Sequence, residues 1–373
     1  MKSTYGTLYR KHLAVMSTAA VLALLAGCSS GSSSPGAAGS STATVAKGKV
    51  KVALVLGLTD DPFMQEVTQG SKDAADALGA TLIVTGPPAP NPTVGINELA
   101  QVVKQGVAGV TIFPLPSSLW SKAISSAAAS TKVNITNDIA AQGIPGSETY
   151  IGNNTAEASR LLIDGIISKL PANPRGEIVL GTCIPGVSSL DIRIKTYESY
   201  LKQKLPNVKL VGPITTTTDP AKNLGAWTNA FNAHSEALAY IGNCDSDGPS
   251  LVRLRQQHPG TYASGTFDVN PSTLTGIQNG DMSYAVDEEP YARGYIATSL
   301  LIMQAQGKAA TTGFINIKGA LVGKDNAASV ITREASPATR NAGFAAMVKA
   351  YLASPQTKTG DIALEPIARA YQE

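Results

Sequence analysis

Short β-rich runs alternate with helical patterns along most of this chain, and the alternation begins twice. A strand over residues 49–56 leads into a helix over 62–78, whose apolar positions Phe63, Val67, Ala74 and Leu78 fall on one side. Strands over 81–84, 109–113 and 133–136 follow, separated by helical patterns over 94–105 and 119–129. The rhythm restarts at Glu177, with strands over 178–181, 209–214, 239–241, 262–266 and 283–286 and helices between them. Asp219-Pro220 marks one helix start, with Asp as N-cap and Pro in the first turn, where its missing N–H costs nothing. Strands alternating with helices form parallel sheets covered on both faces. Two such runs predict an α/β protein of two doubly wound parallel-sheet lobes, and 373 residues are enough chain for both.

The first 47 residues stand outside this rhythm. Lys2, Arg10 and Lys11 precede an apolar run over 13–26 that is shorter than the ~20 residues a membrane-spanning helix needs. The run ends in Leu25-Ala26-Gly27-Cys28, which resembles the lipobox of bacterial lipoproteins. That resemblance implies a signal peptide over 1–27, lipidation of Cys28 and attachment to the outer face of the cell membrane. Residues 28–47 are nearly all Ser, Gly, Ala and Thr, a flexible coil that buries nothing. Removing the leader brings the formal charge from +3 to zero. Without a positive field, nucleic acid is excluded as a partner.

Export places Cys183 and Cys244 in an oxidising compartment. Each closes a strand-like run, and if those are the first and third strands of a doubly wound sheet, strand order 2-1-3 makes them neighbours. A disulfide is expected there; two buried thiols are the alternative. No His or second Cys lies at ligand spacing from either, so no metal is expected.

Ligands of open α/β sheets bind beyond the carboxyl ends of the strands. There the chain carries Asp60, Asp61 and Phe63, then Asn137-Asp138, and in the second half Asn243, Asp245, Asp268 and Glu288-Glu289. Carboxylates and amides at strand ends can bind hydroxyl groups, although Asp and Asn also sit there as helix N-caps. At these residues the sequence resembles the type I periplasmic sugar-binding proteins, the group that includes ribose-binding protein, over residues 49–332. Residues 52–64 are similar to that family's first strand and Asn-Asn-Pro-Phe-Phe turn, Ile135-Thr-Asn-Asp138 to its strand ending in a ligand Asp, and Phe267-Asp268 to its Gly-Phe-Asp strand end. Arg193 precedes Tyr197 as in an Arg-then-Gly-Phe element, Asn243 and Asp245 fall at an Asn-Asp ligand turn, and Glu288-Glu289-Pro290-Tyr291 stands where the family often has Gln-Gln-Pro-Tyr.

The resemblance implies two lobes that close on a ligand across a hinge. The N-terminal lobe would comprise 48–150 plus 289–318 and the C-terminal lobe 151–288 plus 319–333, with an extension over 334–373. Asp60, Asp61, Phe63 and Asp138 would line one wall, and Arg193, Asn243, Asp245, Asp268 and Glu288 the other wall and the hinge. The implied function is a lipid-anchored, monomeric solute-binding protein of an ABC importer that passes a monosaccharide or sugar alcohol to a permease and its ATPase subunits. No cofactor and no enzymatic activity are implied. Two arginines of the family pattern are replaced by Ile139 and Asp191, the second aromatic of the turn by Met64 and the hinge Gln by Glu288. The pocket should therefore be acidic and disfavour phosphorylated or acidic sugars, with an amine-bearing ligand as the second choice. A sensor subunit presenting its ligand to a membrane receptor would carry the same residues. A repressor would need an N-terminal helix-turn-helix where the leader stands. A hydrolase would need facing carboxylates or a nucleophile elbow, which the spacing does not supply.

His234 and His258 are expected on the solvated surface, and Trp120 and Trp227 in packing. In the extension, residues 337–352 read as an amphipathic helix with Ser336 as N-cap, packed on one lobe or open to a partner.

Overall fold

The computed structural model describes residues 49–136, 147–308 and 313–353. The expected signal peptide, the coil and Cys28 lie outside them, as do Asp138 and Ile139. Two six-stranded sheets carry the described chain. In the first, β2 (Thr81–Thr85), β1 (Lys51–Val55), β3 (Gly109–Ile112), β4 (Lys132–Thr136), β5 (Ser147–Gly152) and β11 (Gly313–Asn316) lie side by side, all parallel. In the second the order is β7 (Val208–Thr215), β6 (Gly176–Thr182), β8 (Ala239–Ile241), β9 (Ala263–Phe267), β10 (Tyr284–Asp287) and β12 (Ala320–Val322). Only β12 runs antiparallel to its neighbour. Both sheets have the 2-1-3 order at their start, as expected for doubly wound lobes.

Helix starts follow a local rule. The helices α1 (Pro62–Ala77), α2 (Pro92–Lys104), α6 (Pro220–Ala233) and α8 (Pro271–Asn279) each begin with Pro behind an Asx residue. Asp61, Asn91, Asp219 and Asn270 accept the N–H three residues on, satisfying one orphan donor of the first turn. By contrast α9 (Pro290–Ala305) also begins with Pro, but its cap Glu289 has a left-handed backbone with φ 56° and makes no side-chain cap bond. That start falls where the chain leaves the second sheet for the first.

Buried apolar clusters lie on both faces of each sheet. Val110, Ile112, Trp120 and Ile124 pack on one face of the first, while Ile178, Leu180, Tyr197 and Phe267 pack on one face of the second. Trp120 and Trp227 are both fully buried. On the first sheet α9 packs closely on α1, where a Cβ at Gly70 would stand 2.0 Å from the Tyr291 carbonyl oxygen and one at Gly294 2.0 Å from that of Val67. Glycine is required at both positions by this approach.

The chain crosses between the sheets at three places. The first is at Asn153 and Asn154, after β5 and before α4 (Thr155–Ile167), so β5 runs two residues past the expected division at 150/151. The second is at Glu288 and Glu289, between β10 and α9, and the third at residues 317–319, between β11 and β12. Strands β5, β11 and β12 were absent from the sequence-based expectation. β11 and β12 are three or four residues long, too short for a period to show.

Beyond β12 the last segment of the second lobe packs α10 (Ala327–Glu334) on α8, and the extension then returns α11 (Pro337–Ala353) to α9 and α1 of the first lobe. Ser336 accepts the N–H of Thr339, as expected of the cap, and Phe344 stacks on Tyr291 with ring centroids 5.3 Å apart. The expected surface histidines are both half-buried and engaged. His234 lies 2.7 Å from Glu177, and His258 stacks on Phe231 at 4.4 Å. Each closes a helix end next to a partner that sequence distance hides. No helix among the described residues is long and apolar enough to cross a membrane.

Candidate functional site between the lobes

The carboxyl ends of both sheets face one cavity. Its first wall is made by Leu58, Asp61, Phe63 and Met64 with Phe113 and Leu115, from the segments after β1 and β3. Its second wall is made by Val187, Leu190 and Arg193 on or next to α5 (Ser188–Lys204), by Thr218 after β7, and by Asp245 and Asp268 after β8 and β9. Glu288, at the second crossing, closes the hinge side. Phe63, Met64 and Leu115 pack with Val187 and Leu190 in one buried apolar cluster shared by both lobes. Cys183 and Cys244 belong to the same cluster and form the expected disulfide, with Cα atoms 6.2 Å apart. It joins the loop after β6 to the loop after β8.

Arg193 is the central cation of the second wall. Buried at 3% exposure, it pairs with Glu288 at 2.7 Å, donates to the Asn243 carbonyl and lies 3.7 Å over the Phe267 ring. Asp268 stands in a left-handed backbone with φ 70°, and its Oδ1 is buried with no hydrogen-bond partner among the described residues. Burial, reinforced by the charge of Glu288 and opposed by Arg193, pushes the Asp268 carboxyl well above its ordinary range. A carboxyl that keeps its proton can donate as well as accept, which suits a hydroxyl.

Asp61 and Asp245 come from opposite lobes and repel each other. Asp245 is pushed up to about 7 by burial first and by Asp61 second. Asp61 is raised by burial, opposed by the N–H groups of Met64 and Phe63 at the start of α1. Asp61 therefore fills both roles weighed from sequence, being the N-cap of α1 and part of the cavity wall.

Two expected residues do not face this inner cavity. Asp60 is exposed on an outer rim. Asn243 is fully buried behind the wall, where its side chain accepts from Cys183 N–H at 3.3 Å and donates to Thr182 Oγ1 at 3.0 Å and Leu190 O at 3.1 Å. Its amide is saturated by the frame and does not face the cavity. Asp247 supports the same turn from beneath, accepting from the N–H groups of Asn243 and Cys244 and from Trp227 Nε1 at 2.9 Å. Asp191 also serves a loop, accepting the Gly186 N–H.

Two residues outside the expected set hold the hinge. Asn153 donates to the Ile317 carbonyl and, at 3.5 Å, to that of Glu288, so one side chain ties all three crossings. Arg293, only 1% exposed, donates to Asn153 Oδ1 and to Glu288 O and lies 5.1 Å from the Phe63 ring. A second arginine thus approaches the cavity from behind Phe63, and the acidic balance expected from sequence is partly offset. The Gly152-Asn153-Asn154 run at the end of β5 is the sequence signal for Asn153, and it falls outside the strands expected from sequence. Among the described residues no group of His, Cys, Asp and Glu is arranged to hold a metal ion.

Two α/β lobes joined by three crossings around a lined cleft define the two-lobed class of solute-binding proteins that close on their ligand. Residues 52–309 match the family model described as periplasmic binding protein domain, and the chain belongs to that family, whose members bind and do not transform their ligands. The xylose/arabinose-binding protein XylF of Sulfolobus acidocaldarius is 21% identical over 264 residues, covering 66% of this chain and 64% of its own. The ribose import binding protein RbsB of Bacillus subtilis is 23% identical over 254 residues, covering 68% and 80%. An ABC transporter solute-binding protein from Burkholderia graminis, solved in complex with D-arabinose, superimposes with a TM-score of 0.69 at 23% identity, covering 74% of this chain and 96% of its own. The fold is therefore that of solute-binding proteins solved with sugars bound.

Proposed function

We propose that this protein captures a neutral sugar or sugar alcohol between its lobes and delivers it to an ABC permease, held at the outer face of the cell membrane through lipidated Cys28. One observation carries the reading: Phe63 and Asp61 of one lobe meet Arg193, Asp245, Asp268 and Glu288 around one cavity. An aromatic face suits the apolar side of a pyranose, and carboxyls bind hydroxyls. The sugars named with the relatives and with the solved neighbour support the same class. Ligand contact with both lobes would favour the closed arrangement, which a permease can distinguish from the open one. Asp138 is retained as a further ligand group on the first wall.

Facing Asp61 and Asp245 keep an amine-bearing solute as the second reading, since a cation between them would relieve their repulsion. The test is a thermal-shift screen of the full chain with pentoses, hexoses, polyols, amino sugars and polyamines. A neutral sugar or polyol should raise the melting temperature by an amount that grows with its concentration relative to its dissociation constant, and Asp268→Ala should abolish that rise while leaving the empty protein's melting largely intact. A rise with cations alone selects the second reading. Replacing Cys28 by Ser should release the protein from membranes if the anchor is correctly assigned.

A further inference from the structure

The acid-lined cavity is not large enough to be the whole site. It encloses about 80 Å³, against the ~300–1,000 Å³ usual for small-molecule sites. A second chamber of about 680 Å³ adjoins it, and Leu58, Asp61, Thr218 and Asp245 line both. The two volumes therefore share a wall on each lobe and form one site with a narrow inner end.

The outer chamber is built by both lobes. Pro88 and Pro90, from the loop before α2, face Pro220 and Leu224 of α6 and Pro249 of α7 (Asp247–Gln257). Proline walls have few rotamers to lose on contact and offer an apolar surface. Among the polar groups of its lining, with Asp60, Ser246, Ser250 and Asn270, Arg253 is the cation, an exposed guanidinium with no ion pair among the described residues. The connecting wall is held in a costly conformation. Thr217 has φ 63°, and its carbonyl is fastened by Asn223 Nδ2 at 2.8 Å and Ser246 Oγ at 3.3 Å, which sets Thr218 between the two volumes.

Resting on the sugar reading above, we propose that the ligand carries a second ring, a disaccharide or a glycoside. One ring enters the acid-lined cavity beside Phe63, and the other lies between the prolines with its hydroxyls toward Arg253. A ligand of that length touches both lobes in the outer chamber as well as at the inner end, adding contacts that exist only when the lobes are closed.

The experiment compares matched pairs by calorimetry on the detergent-solubilised full chain: xylose with xylobiose, glucose with maltose and cellobiose, galactose with melibiose. For the sugar that binds, the two-ring member should bind at least about tenfold more tightly. Leu224→Trp, which fills the outer chamber, and Arg253→Ala should each remove that advantage while leaving the one-ring affinity unchanged. Equal affinity for one-ring and two-ring members, or an advantage that survives both variants, overturns the inference and leaves the sugar reading standing. Binding by no sugar of either size overturns the sugar reading and this inference with it.

Discussion

The cleft and the flank of the hinge each gather four carboxyl groups, and they use them in opposite ways. At the flank, Asp287, Glu66 and Glu334 pair with two arginines, and Glu289 lies beside them with a buried Oε2 that has no hydrogen-bond partner among the described residues. Arg333 binds Asp287 and, at 2.6 Å, Glu334; Arg340 binds Glu334 and reaches Glu66 at 3.7 Å. These pairs run without a break from β10 of the second sheet through the extension to α1 on the first. Asp287 also accepts the N–H of Glu289 at 2.8 Å, supporting the left-handed start of α9. In the cleft, both arginines within ion-pair reach, Arg193 at 2.7 Å and Arg293 at 3.8 Å, are engaged by Glu288, and Asp61, Asp245 and Asp268 have no ion-pair partner among the described residues. Asp268 Oδ1 is left unbonded and Asp245 faces Asp61 across the lobes. Compensated acids make a strap, whereas acids left short of partners at a cavity wall are ready for a ligand.

Removing the central cation should break this contrast most severely. Arg193→Ala leaves buried Glu288 with only the longer 3.8 Å pair to Arg293, and loss of the close partner should cost up to about 3–5 kcal/mol. Chemical denaturation should show that drop. Stability within about 1 kcal/mol of the parent would show that the Arg193–Glu288 pair does not hold the wall together.

The paired substitutions Asp287→Asn and Asp268→Asn sharpen the comparison. At the flank the change removes charge-assisted bonds to Arg333 and should cost about 2–3 kcal/mol. In the cleft it mimics the protonated carboxyl and should leave stability within about 0.5 kcal/mol or raise it. Equal losses at both positions would show that the two clusters do not differ as described.

The pH dependence tests the same carboxyls without a substitution. A carboxyl whose pKa rises on folding keeps a proton that the unfolded chain gives up, so its contribution is present below the unfolded pKa and lost as pH rises through the folded one. Asp245 is pushed to about 7, chiefly by burial. Glu66 and Glu289 are pushed to about 8, burial again leading, with Glu334 acting next on Glu66 and Asp287 on Glu289. The melting temperature of the empty protein should therefore fall from about pH 5 to about pH 8. Asp245→Asn should remove the part of the slope that ends near pH 7, and Glu66→Gln should reduce the part that continues to about 8, which Glu289 shares. A melting curve indifferent to pH over this interval would contradict both assignments.

The legible parts of the molecule were those where one residue's neighbours in sequence decide its structure. Val52, Val55, Val110 and Ile112 are buried strand residues within runs recognisable by composition. The Asp219-Pro220 start carries its own cap and its own φ restriction, and it opens α6 as expected. The 2-1-3 order and the Cys183–Cys244 bridge followed from the same rhythm. Asn243 was misplaced because one amide at a strand end can face a ligand or fasten a turn, and only the positions of Thr182, Cys183 and Leu190 around it choose between these. Arg293 was missed for a related reason: it lies in the first turn of α9, a position that says nothing of Asn153 140 residues earlier in the chain.

What the amino-acid order determined by itself was the alternation of strands and helices, the helix caps and the set of strand ends at which a site could form, because these depend on interactions a few residues long. Which strand ends meet, which acids acquire arginines and which stay open to a cavity were decided only by the packing of two sheets against each other. Charge compensation depends on distances of a few ångströms between segments far apart in the chain, and no local pattern encodes those distances.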